Sequence, residues 1–162
     1  SILISDYLKN LGVKGVQIKW PNDIMVNHKK VCGILIENTL LKNELLHTII
    51  GVGLNVNQST VLSNNNSTSI SNEMQELFYI KIVAEELIDY LYKVQDFIDR
   101  PVLLNNRYLD LLLGLNEIRK YSIDGKEIFG EIIGINTAGK LRVLIDQKEQ
   151  LFEQKKLRFL FE

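Results

Sequence analysis

A proline-containing break between two short apolar segments constrains the fold of this chain more than any other feature. Val16, Ile18 and Trp20 alternate with polar residues, which is the pattern of a half-buried strand. The segment 21–23, Pro-Asn-Asp, interrupts that pattern, because proline has no N–H for a sheet ladder and Asn and Asp favour turns. A second apolar segment, 24–26, follows at once. The sequence therefore predicts strand, turn and strand at this point.

Two more strands are predicted from the segments that follow. Residues 27–29 are typical of a hairpin loop, and residues 31–36 predict its return arm. Residues 45–56 predict a further strand, with Gly51 and Gly53 in its second half. Glycine inside a strand marks a bulge or a place where backbone or a ligand approaches closely.

Helical patterns surround these strands. Residues 1–11 carry apolar side chains at helical spacing, and Gly12 is suited to end that helix. Asn72 and Gln75 predict a capping box at the start of a long helix. Its apolar stripe would consist of Leu77, Ile80, Val83, Ala84, Leu87, Leu91, Val94 and Ile98. A further helix is expected from Pro101 to about Leu113.

The period of the apolar pattern changes at Glu117. From there the sequence predicts five short strands joined by tight turns, and the Asp124-Gly125 pair is the strongest of the hairpin signals. Such a run of strands indicates a small barrel. We therefore expect an α+β chain with two units, residues 1–115 with a mixed sheet and helices and residues 116–162 with the barrel.

Composition limits the classes of function. The chain has 19 Lys and Arg against 20 Asp and Glu, so its net charge is −1 and gives no field that would attract nucleic acid or an anionic membrane. A single cysteine, Cys32, excludes an internal disulfide and suits a reducing cytoplasm. No apolar run approaches the roughly 20 residues of a transmembrane helix.

Asp23 and Lys30 are the first candidate pair for chemistry. If the two short strands pair as a hairpin, both side chains approach one region of the surface, where a lysine cation could screen a carboxylate from a phosphate. The alternative is a solvated hairpin with exposed charges. Trp20-Pro21 favours a site, because an aromatic ring is costly to expose and suits a planar ligand near a cation.

Gly51, Gly53 and Asn55 form a second candidate. They lack the third glycine of a dinucleotide fingerprint, so they indicate either tight packing or a backbone that lines a flat ligand. Cys32 lies in an apolar strand and is typical of a small core residue. His28 and His47 have no partners at metal-ligand spacing, so no metal site is predicted.

Four sequence blocks resemble the biotin–protein ligases. They are Lys19-Trp20-Pro21-Asn22-Asp23, Lys30-Val31-Cys32-Gly33-Ile34-Leu35-Ile36-Glu37, Gly51-Val52-Gly53-Leu54-Asn55-Val56-Asn57 and Thr68-Ser69-Ile70. The order and approximate spacing match those of the family. The resemblance implies the C-terminal portion of a class II synthetase-like catalytic domain, followed by a small SH3-like barrel.

The resemblance also implies a reaction. The family activates biotin with Mg-ATP to biotinyl-5'-AMP and transfers biotin to a lysine of the biotin carboxyl carrier domain of acetyl-CoA carboxylase or a related carboxylase. By resemblance, Lys30 and Asp23 are the catalytic residues. The expected ligand-binding residues are Asn22, Gly33, Gly51, Gly53, Asn55 and Trp20.

One part of the family pattern is not found. The family's Gly/Arg-rich loop precedes the tryptophan block, and residues 1–18 do not match it. The chain is therefore expected to be a C-terminal portion with little ligase activity alone and an exposed sheet edge, through which dimerisation is a hypothesis. Two alternatives remain open: a module that docks the carrier or another copy without catalysis, and a related lipoate or octanoate ligase.

Overall fold

A computed structural model describes residues 1–42, 44–58, 66–97 and 99–161. These residues form two antiparallel sheets, four α-helices and a 3₁₀ helix, Lys93–Asp96. The first sheet has the order β1-β2-β3-β4, with β1 Val16–Lys19, β2 Asp23–Val26, β3 Lys29–Leu41 and β4 Glu44–Leu54. The helices are α1 Ile2–Asn10, α2 Ile70–Met74, α3 Ile80–Tyr92 and α4 Pro101–Leu111. The second sheet has the order β8-β7-β6-β5-β9, with β5 Ile118–Ile123, β6 Lys126–Ile135, β7 Leu141–Ile145, β8 Lys148–Phe152 and β9 Arg158–Phe159.

The first sheet packs against α1 and α3. Its core is a single cluster that joins the buried sides of these elements, with Ile4, Tyr7, Leu8, Ile24, Val26, Val31, Cys32, Val83 and Leu87 among its members. Gly12, at φ +94°, follows the end of α1 and donates its N–H to the carbonyl of Lys9, so the predicted stop is confirmed. This core supports β2 and β3 from below.

Two tight turns form at residues for which the sequence predicts hairpins. Asn27 and His28 join β2 to β3, and Asp124 and Gly125 join β5 to β6, with positive φ at both positions of each turn. That backbone matches the twist of paired strands, which is why such residues close two-residue hairpins. Both predicted hairpins are confirmed.

The predicted long helix after Asn72 is wrong. Ser69 is the N-cap of the short helix α2 and accepts from the N–H of Asn72, while Gln75 ends that helix in the left-handed region. The helix α3 starts only at Ile80, so the predicted capping box does not form. Ile98 lies outside the described residues. No described helix has the length and apolar character needed to cross a membrane.

The second sheet contains the five predicted strands but is open. The described pairings leave β8 and β9 at opposite edges, so no hydrogen-bonded closure into a barrel is present in this part of the chain. The predicted final strand is short, because only Arg158 and Phe159 pair with β5. Its core cluster contains Tyr121, Ile132, Leu141, Val143, Phe152, Leu157 and Phe159.

Trp20 joins the first sheet to the second. It is buried among the residues of the second core, and its indole N–H donates to the carbonyl of Gly139 at 2.9 Å. Tyr108 in α4 donates to the carbonyl of Pro21 at 3.1 Å, and the N–H of Leu113 donates to the carbonyl of Ile18 at 2.8 Å. The segment around the cis Trp20–Pro21 peptide is therefore attached to α4 and to the second sheet.

The distal half of the β3–β4 pair is an exposed ribbon. The strands remain paired from Cys32 and Leu54 to Leu41 and Glu44, well beyond the predicted return arm. Its large apolar side chains are about half exposed or more: Leu35, Ile36, Leu40, Leu41, Leu45, Leu46, Ile49 and Ile50. β4 is an edge strand of the described sheet. The ribbon thus presents an open apolar surface with an unpaired backbone edge.

We expect Trp20→Phe to lower the free energy of unfolding by about 1 to 2 kcal/mol, because it removes a hydrogen bond and buried ring area between the two sheets. Urea unfolding followed by circular dichroism measures this change. Tyr79→Phe is the matched control, since Tyr79 is 80% exposed. Equal stability of the Trp20 variant and the original chain would show that this contact does not hold the sheets together.

Candidate functional site

A shallow cleft lies over β2, β3 and β4, at the level where Asp23, Gly33 and Gly53 pair across the first sheet. Its volume is about 470 Å³, and it is lined by Asn22, Asp23, Lys30, Gly33, Ile34, Leu35, Gly51, Val52 and Gly53. A larger groove of about 1070 Å³ lies between α1, α4 and the second sheet. The groove is mostly apolar, whereas the cleft brings a carboxylate and an ammonium group to a floor of glycines. The cleft is therefore the candidate site.

A register shift in β3 places Lys30 beside Asp23. Asp23 pairs with Gly33 and Ile24 with Cys32, but Met25 pairs with Lys30, so Val31 is an extra residue in the ladder. Such a bulge changes the face to which the following side chains point. In a regular ladder Val31 would lie opposite Met25. Because of the bulge, Lys30 takes that place and shares the face of Asp23.

Two lysines contact the one carboxylate. Lys30 Nζ lies 2.6 Å from Asp23 Oδ1, and Lys19 Nζ lies 3.8 Å from Asp23 Oδ2. The Lys30 side chain is 45% exposed and that of Asp23 is 23% exposed. Ion pairs this exposed contribute about 0 to 1 kcal/mol to folding. The pair is thus better suited to binding an anion than to stabilising the fold.

Three glycines form much of the floor of the cleft. Gly33 pairs with Gly53 and Leu35 with Gly51, so the glycines share one face of the sheet. A Cβ on Gly33 would lie 2.9 Å from Lys30 Nζ and 3.1 Å from its Cε. Glycine at position 33 therefore leaves the space that the Lys30 side chain occupies, while Gly51 and Gly53 leave the backbone open to a flat ligand.

The segment 66–68 clamps the backbone of Lys30. The N–H of Lys30 donates to the carbonyl of Asn66, and the N–H of Thr68 donates to the carbonyl of Lys30, both at 2.9 Å. Thr68 is buried, and its hydroxyl donates to Glu73 at 2.6 Å. In the sequence, the block that begins at Thr68 was noted only because it resembles the family. Its hydrogen bond to Lys30 was not predicted, because contacts between segments far apart in the sequence leave no local pattern.

Six of the eight predicted residues lie in the cleft, and two lie outside its lining. Asn22 is at the rim, where its side-chain amide donates to the carbonyl of Ile34. Asn55 donates through Nδ2 to the carbonyl of Thr68 at 3.0 Å and so braces the clamp on Lys30. Trp20 is buried in the second core. Neither Asn55 nor Trp20 lines the cleft.

Cys32 lies below the cleft floor. It is buried, and burial raises the pKa of its thiol to about 11, so the thiol stays protonated at neutral pH. Among the described residues no three His, Cys, Asp or Glu side chains gather at a point where they could hold a metal ion. The polar side chains that line the cleft are the carboxylate of Asp23, the ammonium group of Lys30 and the amide of Asn22.

Comparison with known sequences points to one family. The sequence model of the Biotin/lipoate A/B protein ligase family matches residues 3–55, which include the bulge and the glycine floor. The chain is 30% identical to the bifunctional ligase/repressor BirA of Salmonella typhimurium, over 86% of this chain and 45% of that protein. It is 30% identical to BirA of Bacillus subtilis, over 78% of this chain and 42% of that protein. The chain thus spans less than half the length of these curated relatives.

Solved structures share the fold. The biotin protein ligase of Aquifex aeolicus in complex with biotin and ATP superposes with a TM-score of 0.77 at 21% identity, over 99% of this chain and 68% of that chain. The apo structure of the same ligase gives a TM-score of 0.77 over 98% of this chain and 72% of that chain. The mixed α+β arrangement with two antiparallel sheets is thus the fold of a biotin ligase.

We expect Gly33→Ala to displace the Lys30 ammonium group from Asp23 while lowering the free energy of unfolding by less than about 1 kcal/mol, because the new methyl group meets only the end of a flexible, half-exposed side chain. The side-chain NMR signals of Lys30 report the displacement. Gly51→Ala is the control, since its Cβ would meet Leu35 Cβ at an ordinary 3.8 Å. Identical Lys30 signals in both variants would contradict this account of the glycine.

Proposed function

We propose that this chain, which belongs to the biotin–protein ligase family, forms part of the site at which a protein ligase activates biotin with ATP and passes it to a lysine of a carrier domain. The single observation that carries the proposal is the Asp23–Lys30 pair, 2.6 Å apart above a floor of three glycines. The similar biotin protein ligase of Aquifex aeolicus, solved in complex with biotin and ATP, supports the choice of ligands.

In the first step an oxygen of the biotin carboxylate attacks the α-phosphorus of ATP. The bond from that phosphorus to the bridging oxygen breaks, which releases pyrophosphate and leaves biotinyl-5'-AMP. Negative charge gathers on the carboxylate and phosphoryl oxygens as they approach each other. Lys30 would bind these oxygens, because its ammonium group is half exposed, faces the cleft and donates up to three hydrogen bonds.

In the second step the carrier lysine attacks the acyl carbon of the adenylate. An amide bond forms, the bond to the AMP oxygen breaks and the attacking amine loses a proton. Asp23 would orient that amine or the nucleotide, since its carboxylate lies at the same edge of the cleft as Lys30. The carrier is proposed to be the biotin carboxyl carrier domain of acetyl-CoA carboxylase or a related carboxylase.

The remaining residues would shape the pocket. Gly33, Gly51 and Gly53 would let the ligand lie against backbone, and Asn22 would bind at the rim near the nucleotide. Asn55 and Trp20 would act from outside the lining, Asn55 through the segment that clamps Lys30 and Trp20 through the second sheet. Mg²⁺ would enter as the ATP complex, held by phosphate oxygens.

We also propose a division of the chain into two domains. Residues 1–115 would be the C-terminal portion of the catalytic domain, and residues 116–162 would be an SH3-like domain whose five strands form an open version of the barrel. The enzyme would work in the cytoplasm. The exposed edge of β4 would support a homodimer, which light scattering at high concentration tests directly.

The second candidate is a lipoate or octanoate ligase, because the matching family model covers lipoate ligases as well. The tryptophan block favours biotin, since by resemblance it is not expected in lipoate ligases. A docking module without catalysis is less well supported, because such a module needs no ammonium group over a glycine floor. The ligand preference and the role of Lys30 separate these functions.

We expect Lys30→Ala to weaken binding of a non-hydrolysable biotinyl-adenylate analogue by about 10- to 100-fold, the range of a hydrogen bond to a charged group. Isothermal titration calorimetry on the whole chain measures the affinity. Lys29→Ala is the matched control, because Lys29 is exposed and does not line the cleft. Equal losses in the two variants would remove Lys30 from the site.

We expect the chain to bind biotin in preference to lipoate. The measurement is the change in the backbone NMR signals of Gly33, Gly51 and Gly53 when each acid is added separately. Shifts that saturate with biotin at lower concentration than with lipoate support the biotin ligase. The reverse order would favour the lipoate ligase instead.

A further inference from the structure

Lys19 belongs to the tryptophan block but has no role in the proposed reaction. Its ammonium group lies between the cleft and the second sheet. On one side Nζ is 3.8 Å from Asp23 Oδ2. On the other side it is 5.7 Å from the centroid of the Phe159 ring and 5.8 Å from that of Phe161. Cations within about 6 Å of a ring centroid are attracted to the face of the ring.

The second sheet holds Phe159, and Phe161 stacks on Phe159. They stack on each other with centroids 6.2 Å apart and planes inclined at 19°. Phe159 is buried, pairs with Tyr121 across β9 and β5, and meets its ring edge-on at 5.3 Å. The N–H of Leu160, between the two rings, donates to the carbonyl of Lys120 at 3.3 Å. Phe159 is therefore held without Lys19, while Phe161 rests on Phe159 and on the His28 ring, whose centroid is 6.1 Å away.

The residues on both sides of Lys19 make hydrogen bonds outside the first sheet. The carbonyl of Ile18 accepts from Leu113, and the indole of Trp20 donates to Gly139. Contacts outside the first sheet thus hold both neighbours of Lys19, while Lys19 itself is the last residue of β1. Asp23 is the neighbour of Lys19 across β1 and β2. The pairing of β1 with β2 thus places Lys19 beside this carboxylate, and the two aromatic rings lie on the other side of its ammonium group.

We propose that Lys19 is a positioning residue, held by Phe159 and Phe161, that binds the second oxygen of Asp23 and so keeps the cleft positively charged toward an anionic substrate. Two ammonium groups share one carboxylate, which leaves one positive charge in excess. Without Lys19, the negative charge of Asp23 would cancel the positive charge of Lys30, and these groups would have no net charge. This inference rests on the proposed function, because it assumes that Lys30 meets the anionic groups of the substrates.

The test is the affinity of the whole chain for ATP at low and high salt. Lys19→Met is expected to weaken binding about threefold to fivefold at low salt, the range of a partly exposed charge interaction. The loss should shrink at about 1 M salt, where the Debye length falls to about 3 Å. Lys19→Arg should restore the affinity, since a guanidinium keeps the charge and stacks on aromatic rings. Phe161→Leu is expected to weaken binding about twofold.

Matched controls come from a second cation–aromatic pair. Lys120 Nζ lies 5.8 Å from the Phe129 centroid and does not line the cleft. Lys120→Met and Phe129→Leu should leave the affinity for ATP unchanged. The ε-methylene protons of Lys19 give a ligand-free readout, because the rings shift their NMR signals upfield and Phe161→Leu should reduce that shift.

Three results would overturn the inference: an unchanged affinity in Lys19→Met, a loss of the same size at all salt concentrations, or a loss in Lys19→Arg equal to that in Lys19→Met. A different result would contradict the proposed function. If Lys30→Ala binds ATP and the adenylate analogue as well as the original chain, the site itself is wrong. If Lys30→Ala weakens binding and Lys19→Met does not, only the role of Lys19 is wrong.

Discussion

The bulge at Val31 is the constraint on which the rest of the site depends. It turns Lys30 to the face of β3 that carries Gly33, and so brings the ammonium group to Asp23. A regular ladder would place an apolar valine there and leave the carboxylate without its partner. Bulges of this kind re-aim side chains next to functional sites. The ion pair also requires glycine at position 33, because a Cβ there would displace the Lys30 side chain.

The residues that position the Asp23–Lys30 pair lie mostly outside the lining of the cleft. The segment 66–68 clamps the backbone of Lys30, and Asn55 braces the clamp. The second sheet holds the tryptophan block through the indole of Trp20 and the rings near Lys19. The charged groups themselves are partly exposed and add little to folding. The fold thus supplies stability through its cores and leaves the charges of the cleft free to meet a ligand.

The sequence predicted the parts of this arrangement that depend on local chemistry. Strand alternation, the proline break and the two-residue turns specified the strands, and the tryptophan block led to the family. The bulge could not be predicted, because two lysines followed by the continuous apolar run from Val31 give no alternation from which the register could be determined. The capping box at Asn72 failed because Ser69, three residues earlier, caps the helix instead. The burial of Trp20 in the second core depends on a contact with Gly139, more than a hundred residues away, which leaves no mark in either segment.

A crystal structure of this chain with a non-hydrolysable biotinyl-adenylate analogue tests the central claim most directly. We predict that an acyl or phosphoryl oxygen of the analogue lies within about 3.2 Å of Lys30 Nζ, the reach of a hydrogen bond. We also predict that the ligand rests on the backbone of Gly51 and Gly53. An analogue seated in the larger apolar groove, or in the cleft without contact to Lys30, would contradict the central claim.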